Sequence, residues 1–395
     1  MNIFNSLGSN YTGEYVIKSL FKKDEGSKAA LISFLENKYK GRAQLTYKGR
    51  EAITLALESL NLSKGAGVAV NAFTCVAVVE AIEEAGLTPI YLDIDPDSLH
   101  FTSSQLQSSF KKYSNIKVVM IQNTLGYPCD IEEINKVCKK ENATLIEDLA
   151  HSVGTIYKNG VEAGTVGDFT VLSFGQDKVI DAVSGGAVVT RNEKYTVKNT
   201  HGSNVTSTSD KAYPLLTFII RKTYALQIGK VVHLLSNLFS ILPNPMKPHN
   251  STNMTNWHAM LALDEFRILE KNLNHKREIA KIYCETLNKN VVSPYTVATC
   301  DTATHLRFPI FYENRDALIE ELKKHKAYLS SVWYKNSIVP IHEVGLAKYP
   351  KILCPISDSR MLTVLNLPTH INTSVSDAKE IANSINDFLK QHDSH

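Results

Sequence analysis

The sequence predicts an α/β protein with a mostly parallel central sheet, helices on both of its faces, and a smaller C-terminal α+β domain. Three observations predict it. From about residue 45 to 190, short apolar runs alternate with longer helical stretches. The pattern lapses over 191–252 and resumes, with fewer strands, after Pro294. A length of 395 residues supports more than one core.

Each element has a local reason. Val68-Ala69-Val70, Pro89 to Leu92, Ile116 to Ile121, Ala143 to Ile146, Phe169 to Phe174 and Gly186 to Thr190 are short apolar runs, as strands buried on both faces require. Val76 to Ala85, Ser103 to Lys112 and Ile131 to Lys140 lie between the first four and carry Glu, Lys and Gln on one side, which predicts helices. Strand–helix alternation of this kind gives a parallel sheet whose ligands bind at the carboxyl ends of the strands. Pro214, Pro243, Pro245 and Pro248 bracket a further helical stretch. In it Ile228, Val231, Val232, Leu235, Leu238, Phe239 and Leu242 share one face, expected to pack on the core or a partner subunit. Membrane contact through 213–242 is the second reading; its polar face is weak for anionic lipid.

Asn253 to Lys289 reads as one long helix, then Leu306 to Phe311 as a strand, Asp316 to His325 as a helix and Leu362 to Leu367 as a strand. Asp377 to Leu389 closes the chain as a helix, with Ser374 or Ser376 as N-cap. The expected division is therefore 1–252, a large domain with an inserted helical segment at about 211–248, and 253–395, a linking helix and small domain.

Composition narrows the function. A formal charge of +3 with dispersed Lys and Arg argues against nucleic acid. The six cysteines, at 75, 129, 138, 284, 300 and 354, form no Cys-x-x-Cys pair, so no metal site is expected. No basic-then-apolar leader is evident at the N-terminus and no apolar run reaches membrane-span length, so a cytoplasmic location is expected.

The chemistry concentrates in Glu147-Asp148-Leu149-Ala150-His151 and Ser173-Phe174-Gly175-Gln176-Asp177-Lys178. A strand-end Asp, a Ser and a Lys are the parts that hold pyridoxal phosphate (PLP). Asp148 would keep the ring nitrogen protonated, Ser173 would bind phosphate, and Lys178 would form a Schiff base. A lysine amine, with a pKa near ~10.4, needs desolvation or neighbouring cations to act at neutral pH. His151 would stack on or hydrogen-bond the cofactor, or serve structurally. Lys48-Gly49-Arg50 opens a helix whose free N–H groups suit a phosphate. Phe73 would cover the ring, or belong to the core.

These motifs, with Leu125-Gly126-Tyr127-Pro128, Met254 to Ala259 and Leu365-Asn366-Leu367-Pro368, resemble the DegT/DnrJ/StrS sugar aminotransferases of the fold-type-I PLP-dependent class. The resemblance runs from about residue 45 to 390. It implies Lys178 as the cofactor lysine, Asp148 on the ring nitrogen, and Ser173, Gly49 and Arg50 around the phosphate. It also implies a homodimer, a keto-sugar acceptor, usually nucleotide-linked, and glutamate as donor, in amino-sugar and surface-polysaccharide biosynthesis. Several positions depart from the family. Cys75 stands where an aromatic usually stacks on the ring. Val183-Ser184-Gly185-Gly186 replaces Gly-Glu-Gly-Gly, Asn123 replaces a His, and Ser251 to Met254 replaces Asn-x-Arg-Met. Two rivals follow: a PLP-dependent sugar dehydratase, against which Lys178 argues because those relatives carry histidine there, and a PLP-binding regulatory protein without turnover. Trp333, Tyr334 and His342 lie in a segment resembling the substrate-side loop.

Overall fold

The computed structural model describes residues 2–198, 204–238, 253–329, 338–339 and 354–392. Trp333, Tyr334, His342 and Ser251 lie outside them. The elements in chain order are β1 (Ile3–Phe4), α1 (Gly13–Phe21), α2 (Ser27–Tyr39), β2 (Arg42–Thr46), α3 (Gly49–Ser59), β3 (Gly67–Asn71), β4 (Thr74–Cys75), α4 (Val76–Glu84) and β5 (Thr88–Leu92). Next come α5 (Ser103–Lys112), β6 (Ile116–Gln122), α6 (Ile131–Lys140), β7 (Thr144–Asp148), β8 (Phe169–Ser173), β9 (Gly186–Thr190), α7 (Thr208–Thr223) and α8 (Ile228–Leu238). The chain continues through α9 (Asn256–Arg267), α10 (Leu269–Thr286), α11 (Pro294–Ala298), β10 (Phe308–Phe311), α12 (Arg315–Lys324), β11 (Ala327–Tyr328), β12 (Ile338–Val339), α13 (Pro355–Thr363), β13 (Val364–Leu367) and α14 (Val375–His392).

Seven strands form the central sheet in the order β2-β9-β8-β7-β6-β3-β5. Neighbours pair in parallel from β8 to β5, whereas β9 runs antiparallel to both β8 and β2. Six of the strands therefore deliver their carboxyl ends to one edge. The helices between them start where the side chains supply caps. Thr102 accepts from the Gln105 N–H at 3.3 Å and Gln105 returns the bond to Thr102 N–H at 2.7 Å. Asp130 caps α6, which opens with Glu132 and Glu133 and closes with Lys139 and Lys140, matching the helix dipole. Apolar clusters lie on both faces of the sheet: one with α2, α6 and α9, the other with α3 and α4.

A separate core gathers Ile279 and Tyr283 of α10, Phe308 and Ile310 of β10, Leu318 of α12, Leu365 of β13 and Ile385 of α14. Ile3 joins this core, because β1 pairs in parallel with β11. Ile3 thus packs with the C-terminal unit, while Tyr11 and Tyr15 pack in the large core.

Two expectations about individual helices are corrected. The long helix from Asn253 is two helices, broken at Ile268 (φ −107°, ψ 7°). Helix α9 is buried nearly all round under the large core, while α10 leaves to build the small one, so the axis must turn between them. Pro214 lies inside α7, not at its border. That helix starts earlier, at a Ser207 cap, and Asp210 anchors it by accepting the Tyr47 hydroxyl at 2.7 Å. The apolar face of α8, expected to pack on the core or on a partner subunit, leaves Ile228 53% and Val231 55% exposed within its own chain. Among the described residues no helix is long and apolar enough to cross a membrane.

Candidate active site

Strand periodicity separates the two acids that open the first motif. Successive residues of β7 point to opposite faces. Glu147 turns to a turn-rich side, where its carboxylate accepts the Gly164, Val166 and Gly167 N–H groups at 2.6–2.7 Å and the Tyr157 hydroxyl at 2.9 Å. It is a fastening. Asp148 ends the strand and turns to the carboxyl edge.

Asp148 is almost wholly buried. One of its oxygens accepts the Ala150 N–H at 2.9 Å and the other the Gln122 side-chain amide at 3.3 Å. Gln122 in turn accepts the Thr74 hydroxyl at 3.0 Å, so a chain of side chains orients the carboxylate. Burial raises its pKa, and the Ala150 N–H and the Lys178 ammonium oppose that rise. Sequence reading missed Gln122. Its signal is register: β6 and β7 place Gln122 directly opposite Asp148.

Lys178 lies on the connection from β8 to β9 and is half-buried. Burial lowers its pKa, with Cys75 and Asp148 opposing and Arg307 reinforcing the shift. A lysine displaced this way holds more of its amine neutral, which a nucleophile and proton carrier needs. His151 is fully buried, and its Nδ1 accepts the Leu125 N–H at 3.3 Å. Burial, then Lys178 and Arg307, push its pKa well down, so the ring stays neutral.

The other end of the site is a close approach of two backbones. A Cβ on Gly49 would lie 2.8 Å from Ser173 Cβ and 2.9 Å from Ser173 Oγ, nearer than side-chain carbons come. Glycine is therefore required for the start of α3 to reach the Ser173 hydroxyl. The Glu51 carboxylate accepts the Tyr47 and Lys48 N–H groups at 2.9 and 3.3 Å and fixes the turn into the helix. The start of an eleven-residue helix thus lies against the Ser173 hydroxyl, an arrangement suited to an anion.

The side chains of two candidates have other partners. Phe73 is fully buried in a cluster with Ile94, Leu99, Leu125 and Tyr127, which is a packing role. Arg50 is tied to Glu80 of α4 at 2.5 Å. Cys75 caps α4 and is close enough to Lys178 for the ammonium to act on its thiol, whose pKa burial raises. The edge beside it is taken by β12, which pairs Val339 with Cys75. Asn123, at the family's histidine position, is a structural residue: it donates to the Tyr157 hydroxyl at 3.0 Å and accepts the Cys129 N–H at 2.9 Å.

A buried carboxylate, an anion cradle that a single Cβ would fill, and a lysine with a depressed pKa near that carboxylate fit pyridoxal phosphate. They are the parts expected of a PLP-dependent enzyme built on an α/β sheet. The chain belongs to the DegT/DnrJ/EryC1/StrS aminotransferase family, whose model matches residues 30–386. A GDP-perosamine synthase of Escherichia coli O157:H7 is 27% identical over 391 residues, covering 95% of this chain and 94% of its own. Helicobacter pylori PseC, an aminotransferase involved in the biosynthesis of pseudoaminic acid, shares the fold with a TM-score of 0.72 at 17% identity, covering all of both chains. The PLP form of Spr1654 from Streptococcus pneumoniae, a putative sugar aminotransferase, matches with a TM-score of 0.70 at 19% identity over 96% of this chain and 95% of its own.

Proposed function

We propose that this aminotransferase moves an amino group from L-glutamate to a nucleotide-linked keto sugar, in amino-sugar and surface-polysaccharide biosynthesis, as a homodimer. The observations that support the reading are the electrostatic coupling of Lys178 to the buried Asp148 and, separately, the close approach of Gly49 to Ser173. The relatives named as GDP-perosamine synthases support the sugar acceptor.

Each residue has a task in it. PLP, when bound, supplies the electron sink that lets an amine's carbon lose a proton. Asp148 holds a proton at the ring nitrogen. The Ser173 hydroxyl and the α3 N–H groups bind the phosphate and fix its orientation. The Lys178 amine carries a proton between the two carbons that exchange it, a task that suits a depressed pKa. Neutral His151 keeps a second positive charge away from the amine.

Incubation of the holoenzyme with glutamate should convert bound PLP to the pyridoxamine form, with stoichiometric oxoglutarate. Lys178→Ala should abolish both this half-reaction and the borohydride-trapped cofactor adduct. Transamination retained in that variant would overturn the assignment. A panel of nucleotide-linked keto sugars, assayed for loss of the pyridoxamine spectrum, tests the acceptor separately.

A further inference from the structure

The loop that carries Lys178 holds two non-glycine residues in the left-handed region: Asp177 at φ 61° and Val183 at φ 69°. For the β-branched Val183 this conformation is strained. Both residues give their N–H to one carboxylate. Asp177 N–H donates to Asp181 Oδ2 at 2.7 Å and Val183 N–H to Asp181 Oδ1 at 3.0 Å. Asp181 is fully buried. Its carboxylate therefore closes residues 177–183 into a ring that contains Lys178.

The ring is held from outside by the N-terminal segment. The Tyr11 hydroxyl donates to Asp181 Oδ1 at 2.7 Å, and the Tyr15 hydroxyl donates to the Asp181 carbonyl at 2.8 Å. Asn10 donates to the Lys178 carbonyl at 3.1 Å. The same segment is fastened to the C-terminal unit. Its first residues pair with β11, Asn5 donates to the Asn366 carbonyl and accepts from Arg307, and Asn372 donates to the Ser9 carbonyl at 2.8 Å. Residues 3–15 thus bridge the C-terminal unit and the lysine loop.

We propose that Asp181 is a positioning residue for Lys178, held in place through Tyr11 by the N-terminal segment. It touches neither cofactor nor substrate; it sets the backbone from which the amine reaches. The inference rests on Lys178 being the cofactor lysine.

The test compares Asp181→Asn, Tyr11→Phe and Asp181→Asn/Val183→Gly with the parent. The two loop N–H groups bind different oxygens of the carboxylate, and an amide keeps an acceptor at only one of those two positions. Phenylalanine at 11 removes only the outer bond and is the milder change should Asp181→Asn fail to fold. In the apoprotein, the rate of Lys178 acetylation by an amine-reactive ester is followed by peptide mass spectrometry, with Lys64 as internal standard. Asp181→Asn should change the Lys178-to-Lys64 ratio, and in the holoenzyme it should shift the pH midpoint of the cofactor absorbance. It should also lower kcat by about 10- to 100-fold, as a misplaced reacting group does, with little change in the donor KM. Tyr11→Phe should move the same readouts in the same direction by less. The glycine, free to adopt positive φ without a carboxylate, should recover part of the loss. An unchanged labelling ratio and spectral midpoint in folded Asp181→Asn, or in Tyr11→Phe if the former does not fold, overturns the proposal even if melting temperature drops. Failure to trap PLP on Lys178 of the parent protein would instead overturn the functional reading.

Discussion

Gly49→Ala tests the phosphate cradle with one atom. The added Cβ would sit 2.8 Å from Ser173 Cβ. Carbon atoms pack at about 3.5–4.0 Å, so the start of α3 and the end of β8 must separate by roughly 0.7 Å or more. The neighbours on that side are backbone and a short side chain, which cannot swing away. A hydrogen bond from a group displaced that far leaves the effective range. Losing one bond to a charged phosphate costs about 1.5–3 kcal/mol, or about 10- to 150-fold in affinity. The overpacking itself costs about 1–3 kcal/mol of stability. The assay is absorbance titration of apoprotein with PLP, beside the same titration with pyridoxal, which lacks the phosphate. The expected result is weaker PLP binding with pyridoxal binding preserved. Equal losses for both ligands, or full PLP affinity in the variant, would refute the cradle.

The adjacent acids should part company: Asp148→Asn lowers kcat by about 10²-fold, the scale of losing one preorganised charge at a reacting centre, while the protein still melts near the parent temperature. Glu147→Gln leaves backbone donors of the turn unpaired and costs about 3 kcal/mol, read in a denaturant titration, with PLP affinity preserved. Gln122→Leu frees one Asp148 oxygen; kcat should fall by less than in Asp148→Asn, and a fall as large would show that Gln122 does more than orient. Lys276 is buried with no hydrogen-bond partner for its Nζ among the described residues, and burial, with Arg307, lowers its pKa to about 7. Its folded pKa lies below the unfolded value near ~10.4, so its destabilisation is complete below about pH 7 and vanishes above about pH 10. Lys276→Met should therefore raise the melting temperature most at pH 6–7, with the gain shrinking towards pH 10; a pH-independent gain would refute the buried charge.

What the sequence shows of this site follows from the range over which its signals act. Asp148 and Ser173 stand at the ends of apolar runs, and a parallel sheet puts such ends at one edge whatever the strand order. Gln122 ends a run too, but its role depends on β6 lying beside β7, which no local pattern states. Asp181 and Tyr11 meet across 170 residues of chain. The break at Ile268 has no glycine or proline to mark it, because it is set by the change of core from α9 to α10. The face of α8 was legible as apolar, but periodicity does not say what covers such a face.

The departures from the family pattern become intelligible only with the structure. A glycine at position 183 would adopt φ 69° without strain, whereas a valine there must be held. Asp181 does the holding through the Val183 N–H, and Ser184 adds a bond to the Tyr47 carbonyl at 2.8 Å, fastening the loop to the turn that leads into α3. In this chain the loop is shaped by a buried carboxylate and a hydroxyl. The lysine is thereby tied to the N-terminal segment, and through it to the C-terminal unit. A substitution at Tyr11, far from the cofactor in sequence, should for that reason read out at Lys178.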